Sequence, residues 1–179
     1  MPNQFALDVT KIRDDARRRM QEGPVTATYG GDTNPVLDIL NQVVATEIVC
    51  YLRYIQNSIA AAGIDRAQVA AEFKEHAAEE LQHGLRAAER INQLGGVPDF
   101  DPGTLARRAH TEYSAPAATD LDTMLRENLV AERIVISSYQ EIIRWLGDSD
   151  PTTRRLMEDI LEEEEEHAND LTDLLGVQG

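Results

Sequence analysis

Residues 159–175 read DILEEEEEHANDLTDLL, an acidic run that leads directly into His167. Residues three apart on a helix lie on nearly the same face, so Glu164 and His167 point the same way. Apolar residues continue this face at spacings of three and four: Leu156, Ile160, Leu171 and Leu174. The spacing predicts a helix whose core-facing side carries a glutamate and a histidine where leucine is expected.

The same Glu-x-x-His pair occurs earlier in the chain, on a second apolar stripe. That stripe consists of Val69, Phe73, His76, Glu80, His83, Ala87, Ile91 and Leu94. An ionised carboxylate without a partner in a core costs several kcal/mol or shifts its pKa strongly, and coordination of a metal ion avoids both. The two pairs therefore require a compensating partner, and a metal ion is one.

Composition narrows the class of protein. At 179 residues and 42% hydrophobic content, the chain can form one domain with its own core. Its single cysteine, Cys50, lies in an apolar segment, which predicts a small core residue and a reducing compartment. We find no run of about 18 uncharged apolar residues and no basic and then apolar leader, so we expect a soluble cytoplasmic protein without a membrane partner. The net charge of −15 argues against nucleic acid as a default partner and suits a protein that attracts cations.

Residues 1–33 are interpreted as an N-terminal extension that precedes the main domain. An amphipathic segment from about Asp8 to Gln21 carries four arginines among acidic residues, and Gly23–Pro24 ends it. Two interpretations fit this segment: a nucleic-acid-binding arm, or a solvated helix docked on a neighbour or on the main domain. The interleaved acidic residues favour the second.

Residues 34–179 carry four long helical segments, of which the first two form a pair. Asn34–Pro35 predicts the start of the first helix, which Gly63 stops. Its predicted core side consists of Leu37, Leu40, Val44, Glu47, Tyr51, Tyr54 and Ser58. The second helix begins near Asp65 and ends at Gly95–Gly96. A short link between two long helices predicts an antiparallel hairpin.

A long connection separates this pair from the next. Residues 97–119 contain several prolines and at most one short helix, within Leu105–Tyr113, and such a connection usually crosses the length of a bundle. The third long helix starts at Thr119 or Asp120, and the fourth opens at Asp150–Pro151. The predicted core side of the third consists of Leu121, Leu125, Asn128, Glu132, Val135, Tyr139, Ile142 and Leu146. This order predicts an all-α, antiparallel four-helix bundle of two helical hairpins joined by a long crossover, with an N-terminal helical extension.

Each predicted hairpin combines one lone inward glutamate with one Glu-x-x-His pair. Glu47 precedes Glu80 by 33 residues and Glu132 precedes Glu164 by 32, so the chain contains an internal pseudo-repeat. If the hairpins pack together, four carboxylates and two imidazoles meet at mid-bundle and balance two divalent cations, as in di-iron or di-manganese carboxylate bundles. The predicted cluster consists of Glu47, Glu80, His83, Glu132, Glu164 and His167.

These segments resemble the ferritin-like superfamily, and within it the bacterioferritin branch. The resemblance spans about Pro35 to Leu175 and lies in TEIVCYLRY (46–54), EELQH (79–83), MLRENLVAE (124–132) and DILEEEEEH (159–167). It implies that Glu80 and Glu164 bridge two metal ions. It further implies that Glu47 with His83, and Glu132 with His167, are the terminal ligands. It also implies a position for Tyr54 near the site, while a core aromatic explains that residue equally well.

Two departures from the bacterioferritin pattern are visible. The position that holds the haem-binding methionine in that branch is Leu81 here, so no haem is expected. The long crossover and the N-terminal extension resemble Dps-type miniferritins instead. The resemblance implies a homo-oligomer, at least a dimer, with closed shells of 12 or 24 subunits as the larger alternatives.

Several glutamates and two histidines near the predicted ligands are not assigned to the six-residue cluster. A solvated acidic face or a cation entry path is expected for Glu79, Glu162, Glu163, Glu165 and Glu166. Of these, Glu163 has the spacing to His167 that could bring it to the site. His76 lies near the metal ions, in the core or at the surface, and His110 in the crossover is uninformative.

The leading hypothesis for function is a ferroxidase that stores or detoxifies iron. Two Fe(II) ions would react with O2 or H2O2 at the six ligands, with Tyr54 nearby; oxygen-rich ligands with two imidazoles suit iron or manganese. One alternative is a peroxidase or manganese-catalase-like use of the same site. Another is a Dps-type miniferritin that protects DNA and sequesters metal. A third is an acidic bundle in which the inward Glu and His residues serve structure alone.

Overall fold

The computed structural model describes residues 6–114 and 120–176. In these residues all regular structure is helical, and the chain forms the six helices α1 (Val9–Arg18), α2 (Thr33–Ala60), α3 (Arg66–Gln93), α4 (Leu105–Arg108), α5 (Leu121–Leu146) and α6 (Pro151–Leu174). A short 3₁₀ turn, Met20–Glu22, follows α1. Helix α2 packs mainly against α3, and α5 packs mainly against α6. The predicted all-α bundle of two hairpins is confirmed.

The ends of the long helices follow capping chemistry, with one correction. Asp32, not Asn34, caps α2, because its carboxylate accepts a hydrogen bond from the backbone N–H of Asn34. Pro35 therefore lies in the first turn, where a backbone N–H would have no helical partner anyway. Asp120 and Asp150 cap α5 and α6 as predicted, each accepting from the backbone N–H three residues later. The alternative cap, Thr119, lies outside the described residues.

Each long helix buries most of the stripe that its sequence predicts, whereas the stripe residues Leu37, Tyr51, Leu121, Leu156 and Leu174 are only half-buried. All eight predicted positions of α3 are buried. In α2, Ser58 is only half-buried, whereas Arg53 and Asn57 face the interior. The difference arises because the Arg53 guanidinium donates to the Glu127 carbonyl oxygen at 2.7 Å and to the Glu112 carbonyl oxygen at 3.4 Å. This buried arginine thus ties α2 to α5 and to the end of the crossover.

The apolar core is divided along the bundle axis. One cluster includes Val44, Ala87, Val135 and Ile160, and another includes Tyr54, Ala77, Leu125 and Leu171. On every long helix the predicted ligands lie between a residue of the first cluster and a residue of the second. Apolar packing therefore closes the middle of the bundle from both ends.

Helix α2 is long and apolar enough, by length and composition alone, to cross a membrane. Half of that apolar stretch is buried inside the protein, and Glu47 and Arg53 are almost fully buried within the helix. Its apolar character is therefore explained by its position in the core of the bundle.

The segments outside the bundle are attached to it by specific contacts. Between residues 97 and 114, the described part of the crossover, the chain forms one four-residue helix, α4, and Leu105 on it packs against Ala45 and Val49 of α2. In the N-terminal region α1 buries none of its residues, whereas Tyr29 packs on the core and donates a 2.8 Å hydrogen bond to Asp150. The division into residues 1–33 and 34–179 stays a prediction.

Candidate metal centre

The six predicted ligand residues come together at the centre of the bundle. Each is at most 2% exposed. Their nitrogen and oxygen atoms form two groups, and within each group the atoms lie within 4.8 Å of one another. One group consists of Glu47, Glu80, His83 and Glu164, and the other consists of Glu80, Glu132, Glu164 and His167. Glu80 and Glu164 belong to both groups, which is the geometry that two adjacent cations with shared carboxylates require.

The cluster leaves many buried polar atoms without hydrogen bonds. Among the described residues, neither carboxylate oxygen of Glu80 has a partner, and the same holds for one oxygen each of Glu47, Glu132 and Glu164. His167 Nδ1 is also unpartnered. Buried polar groups in native proteins are nearly always satisfied, and those that are not call for an explanation such as a bound ion. These residues fit a pair of metal ions well.

Two tyrosines hold the lone glutamates in place. The Tyr54 hydroxyl donates to Glu132, and the Tyr139 hydroxyl donates to Glu47. Each tyrosine belongs to one hairpin and the glutamate it binds belongs to the other, so these hydrogen bonds cross between the halves. Burial, and then the neighbouring glutamates, raise the pKa of both phenols well above the ordinary value, which keeps them protonated as donors.

Two further carboxylates orient the histidines from outside. Glu163 Oε2 lies 2.9 Å from His83 Nε2, and Glu79 Oε2 lies 2.8 Å from His167 Nε2. With the outer nitrogen bound in this way, the Nδ1 atom of each ring faces the centre, as in carboxylate–histidine–metal arrangements. Both glutamates are partly exposed, as a solvated acidic face requires, but that interpretation missed their contacts with the histidines.

The internal repeat contains a signal for all of these contacts. Adding 84 to a residue number in α3 gives its counterpart in α6, so that Glu79 corresponds to Glu163. Adding 85 relates α2 to α5, so that Tyr54 corresponds to Tyr139. The repeated patterns are Glu-Glu-x-x-His and Glu followed seven residues later by Tyr. The sequence pattern indicates the lone glutamates and the Glu-x-x-His pairs, but it predicts Tyr139 only as a residue of the apolar stripe.

Burial and the close spacing of the carboxylates decide which groups of the cluster carry protons. Burial, and then the charge of Glu164, raise the pKa of Glu80 and Glu132 well above the ordinary value. Burial opposes charge on His83 as well, but Glu164 and Glu47 outweigh it and raise the pKa of His83 to about 11. Burial likewise opposes charge on His167, yet Glu164 and Glu132 raise its pKa to about 9. Without metal the cluster therefore holds protons, which bound cations would displace.

A third histidine lies beside the cluster. The His76 ring stacks on the His167 ring, with 4.2 Å between centroids, and contacts Tyr54 edge-on. Burial, and then the neighbouring His167, lower the pKa of His76 to about 3, so the ring is neutral. On the other side, Thr46 Oγ1 lies 3.1 Å from His110 Nδ1, and the His110 ring meets Tyr139 edge-on. His110 therefore buttresses the tyrosine that holds Glu47, a role that the sequence did not reveal.

These features define a helical-bundle protein with a buried carboxylate–histidine centre, and comparison with known proteins agrees. The family model described as ferritin-like domain matches residues 37–177, so the chain belongs to the ferritin-like family. The predicted resemblance to bacterioferritin and Dps proteins is confirmed.

Individual relatives come from both branches. A nutrient stress-induced DNA-binding protein from Synechococcus sp. is 30% identical over 76% of this chain and 78% of its own length. A bacterioferritin from Desulfovibrio desulfuricans is 28% identical over 74% of this chain and 69% of its own. Among solved structures, the bacterioferritin-related protein from Bacteroides fragilis, described as a dodecameric thioferritin, is 38% identical with a TM-score of 0.79. That match covers 82% of this chain and 88% of the other.

Proposed function

We propose that this protein is a ferroxidase that oxidises Fe(II) with O2 or H2O2 and thereby stores or detoxifies iron. The observation that carries the proposal is the pair of ligand groups that share Glu80 and Glu164 in a fully buried position. Four carboxylates and two neutral imidazoles match the charge of two divalent cations, and their oxygen-rich character suits iron. Membership of the ferritin-like family supports the same choice.

Roles are assigned to the residues as the resemblance implies. Glu80 and Glu164 bridge the two ions, Glu47 and His83 complete one position, and Glu132 and His167 complete the other. The contacts from Tyr54 and Tyr139 restrain the two lone glutamates, and those from Glu79 and Glu163 restrain the imidazoles. The helices thus fix the positions of the ligands while individual carboxylates can change their mode of binding.

Iron is the substrate in this reaction. Two Fe(II) ions give up two electrons, which reduce O2 with two protons to H2O2, or reduce H2O2 with two protons to two waters. Protons held by Glu80 and Glu132 before the ions bind leave the cluster as the carboxylates become ligands. The tyrosines stay protonated because burial raises the pKa of their phenols.

The test compares two matched double variants of the full chain. In Glu80→Gln/Glu164→Gln both proposed bridging residues lose their charge, whereas Glu162→Gln/Glu165→Gln changes two exposed glutamates of the same acidic run. We expect the first to lose catalysed Fe(II) oxidation and the second to retain it. Unchanged oxidation by the first variant would refute the proposal. Metal analysis of protein from its natural host, together with peroxide turnover, separates iron from a manganese-based activity.

We further propose that twelve copies assemble into a closed shell in the cytoplasm. The 38% identical relative from Bacteroides fragilis is described as dodecameric, and storage of iron requires an enclosed space. Light scattering in solution should then give a mass of about 240 kDa, twelve times the chain mass of 19.9 kDa. A mass near twice that value indicates a shell of 24 subunits.

A second candidate function is protection of DNA by a miniferritin that sequesters metal at the same buried centre. It is favoured by the 30% identical relative described as a nutrient stress-induced DNA-binding protein. The net charge of −15 opposes binding to DNA. Helix α1, which carries several arginines, is the segment that would contact phosphate. A gel shift at low and physiological salt, with the full chain and with a chain lacking residues 1–30, tests this. Absence of a shift at low salt excludes DNA binding.

A further inference from the structure

We propose that Glu72, His76 and Asp170 form a separate binding site for one divalent transition-metal ion, outside the six-residue centre. The three side chains come from α3 and α6 and offer one imidazole nitrogen and two carboxylate oxygens within 4.8 Å of one another. Nitrogen and oxygen ligands in this ratio suit zinc, iron or manganese in the divalent state.

The strongest observation is the state of His76. His76 is only 1% exposed, and among the described residues neither nitrogen of its ring has a hydrogen-bond partner. Its Nε2 atom points to Glu72 Oε1 at 3.5 Å and to Asp170 Oδ2 at 3.6 Å. These separations are too long for good hydrogen bonds, but a tetrahedral ion with bonds of about 2.1 Å places its ligands about 3.4 Å apart.

The internal repeat shows that packing does not require this histidine. The counterpart of His76 in the other hairpin, 84 residues later, is Ile160, which is fully buried. The counterpart of Glu72 is Leu156, and the residue corresponding to Asp170 is Arg86. Arg86 of α3 binds Glu163 at 2.9 Å, so α3 presents a cation at the position where α6 has the Asp170 carboxylate. The pseudo-symmetric position, formed by Leu156, Ile160 and Arg86, therefore lacks all three metal-ligating groups.

The site lies at the mouth of an acidic cavity. This cavity has a volume of about 100 Å³, and its carboxylates come from Glu72, Glu75, Glu79, Glu163, Glu166 and Asp170. His76 and His167 also line it, and their rings are stacked. The Glu72 and Asp170 side chains are about one third exposed, so an ion can reach them from solvent. The cavity then continues to Glu79, which holds the outer nitrogen of His167.

The position indicates a role in delivery of Fe(II), an inference that rests on the proposed ferroxidase function. The ring of His76, one of the three residues, stacks directly on the ring of His167, a proposed ligand of the buried centre. The site would concentrate Fe(II) at the entrance and pass it inward. We therefore expect its loss to raise the KM for Fe(II) while the rate at saturating Fe(II) changes little.

Binding is tested first in protein whose centre has been disabled. The full chain with Glu80→Gln/Glu164→Gln is dialysed against Zn²⁺, and bound zinc per chain is measured by elemental analysis. We expect one ion to remain per chain. Adding His76→Ile, which copies the other hairpin, should weaken its binding by about tenfold or more. Asp170→Asn is a second variant at a partly exposed position, and Asp173→Asn on the same helix is the control.

The outcomes separate this inference from the proposed function. If the disabled protein binds no zinc, or if His76→Ile and Asp170→Asn bind it as tightly as Asp173→Asn, the site does not exist. A retained ion in the disabled protein supports the site even if the wild-type protein fails to oxidise Fe(II). In an active protein, an unchanged KM for Fe(II) in His76→Ile would overturn the delivery role.

Discussion

Replacing Glu80 with glutamine should stabilise the metal-free protein while it abolishes binding at the centre. Glu80 is 1% exposed, neither of its oxygens has a partner among the described residues, and its pKa is raised well above the ordinary value of 4.5 by burial and by Glu164. The folded state therefore holds the Glu80 proton to higher pH than the unfolded chain does, and this difference lowers the stability of the wild type. Glutamine carries no titratable proton and avoids that cost.

The sign of the pH dependence follows from the raised pKa. Between pH 4.5 and its raised folded-state pKa, Glu80 holds up to one proton more in the folded protein than in the unfolded chain, so this residue lowers stability by at most about 1.4 kcal/mol for each pH unit. The advantage of Glu80→Gln should therefore be near zero at pH 4.5 and grow toward pH 7. The pKa values of His83 and His167 are raised as well, and their stabilisation is lost as pH rises from 6.5 toward about 11 and about 9. That loss occurs in both proteins, so the difference between them reports on Glu80.

The assay is urea unfolding of chelator-treated protein at several pH values and one protein concentration, because assembly contributes to apparent stability. Glu89→Gln, at an exposed position of the same helix, is the control and should change stability by at most about 0.5 kcal/mol. Added Zn²⁺ should stabilise the wild type more than Glu80→Gln. The reasoning is refuted if Glu80→Gln is no more stable than the wild type at pH 7, or if its advantage does not increase with pH.

Two further changes test contacts around the centre, and a third tests the buried ion pair between Arg90 and the α6 cap Asp150, 3.0 Å apart. Glu163→Gln weakens the carboxylate that orients His83 and should reduce metal affinity by about tenfold in a dialysis titration, whereas Glu162→Gln, at an exposed neighbour, should not. Tyr139→Phe removes the hydroxyl that restrains Glu47 and should slow Fe(II) oxidation by about tenfold with its fold unchanged by circular dichroism; a normal rate would contradict the assigned role. Arg90→Met leaves the Asp150 carboxylate buried without its counter-charge and should destabilise the protein to urea by about 3 kcal/mol, whereas the exposed Arg155→Met should leave the urea midpoint nearly unchanged.

Local periodicity explains why the sequence predicts so much of this fold. The stripe of α3 is buried at all eight predicted positions because helical spacing alone decides which side chains share a face. The same spacing gathers Glu164 and His167 on one face. The lone glutamates follow from the repeat, which needs no knowledge of the structure.

Contacts between helices are harder to predict from the sequence, because they depend on how far each helix is rotated and shifted against its neighbours. Tyr139 fits an apolar stripe as well as it fits a hydrogen bond to Glu47 on another helix. Arg53 faces inward because the crossover and α5 supply carbonyl oxygens there, which no pattern within α2 reveals. At the start of α2, Asp32 and Asn34 are both good capping residues, and the choice between them depends on the backbone before the helix.

The tyrosine contacts that cross the bundle make the two hairpins mutually dependent. Among the described residues, Tyr54 of the first hairpin donates to Glu132 of the second. In the same way, Tyr139 of the second hairpin donates to Glu47 of the first. A hairpin produced alone would expose its phenol and its lone glutamate to water and lose the restraint on that glutamate. The two halves are therefore complementary fragments of one centre, and each supplies the restraint on the lone glutamate of the other.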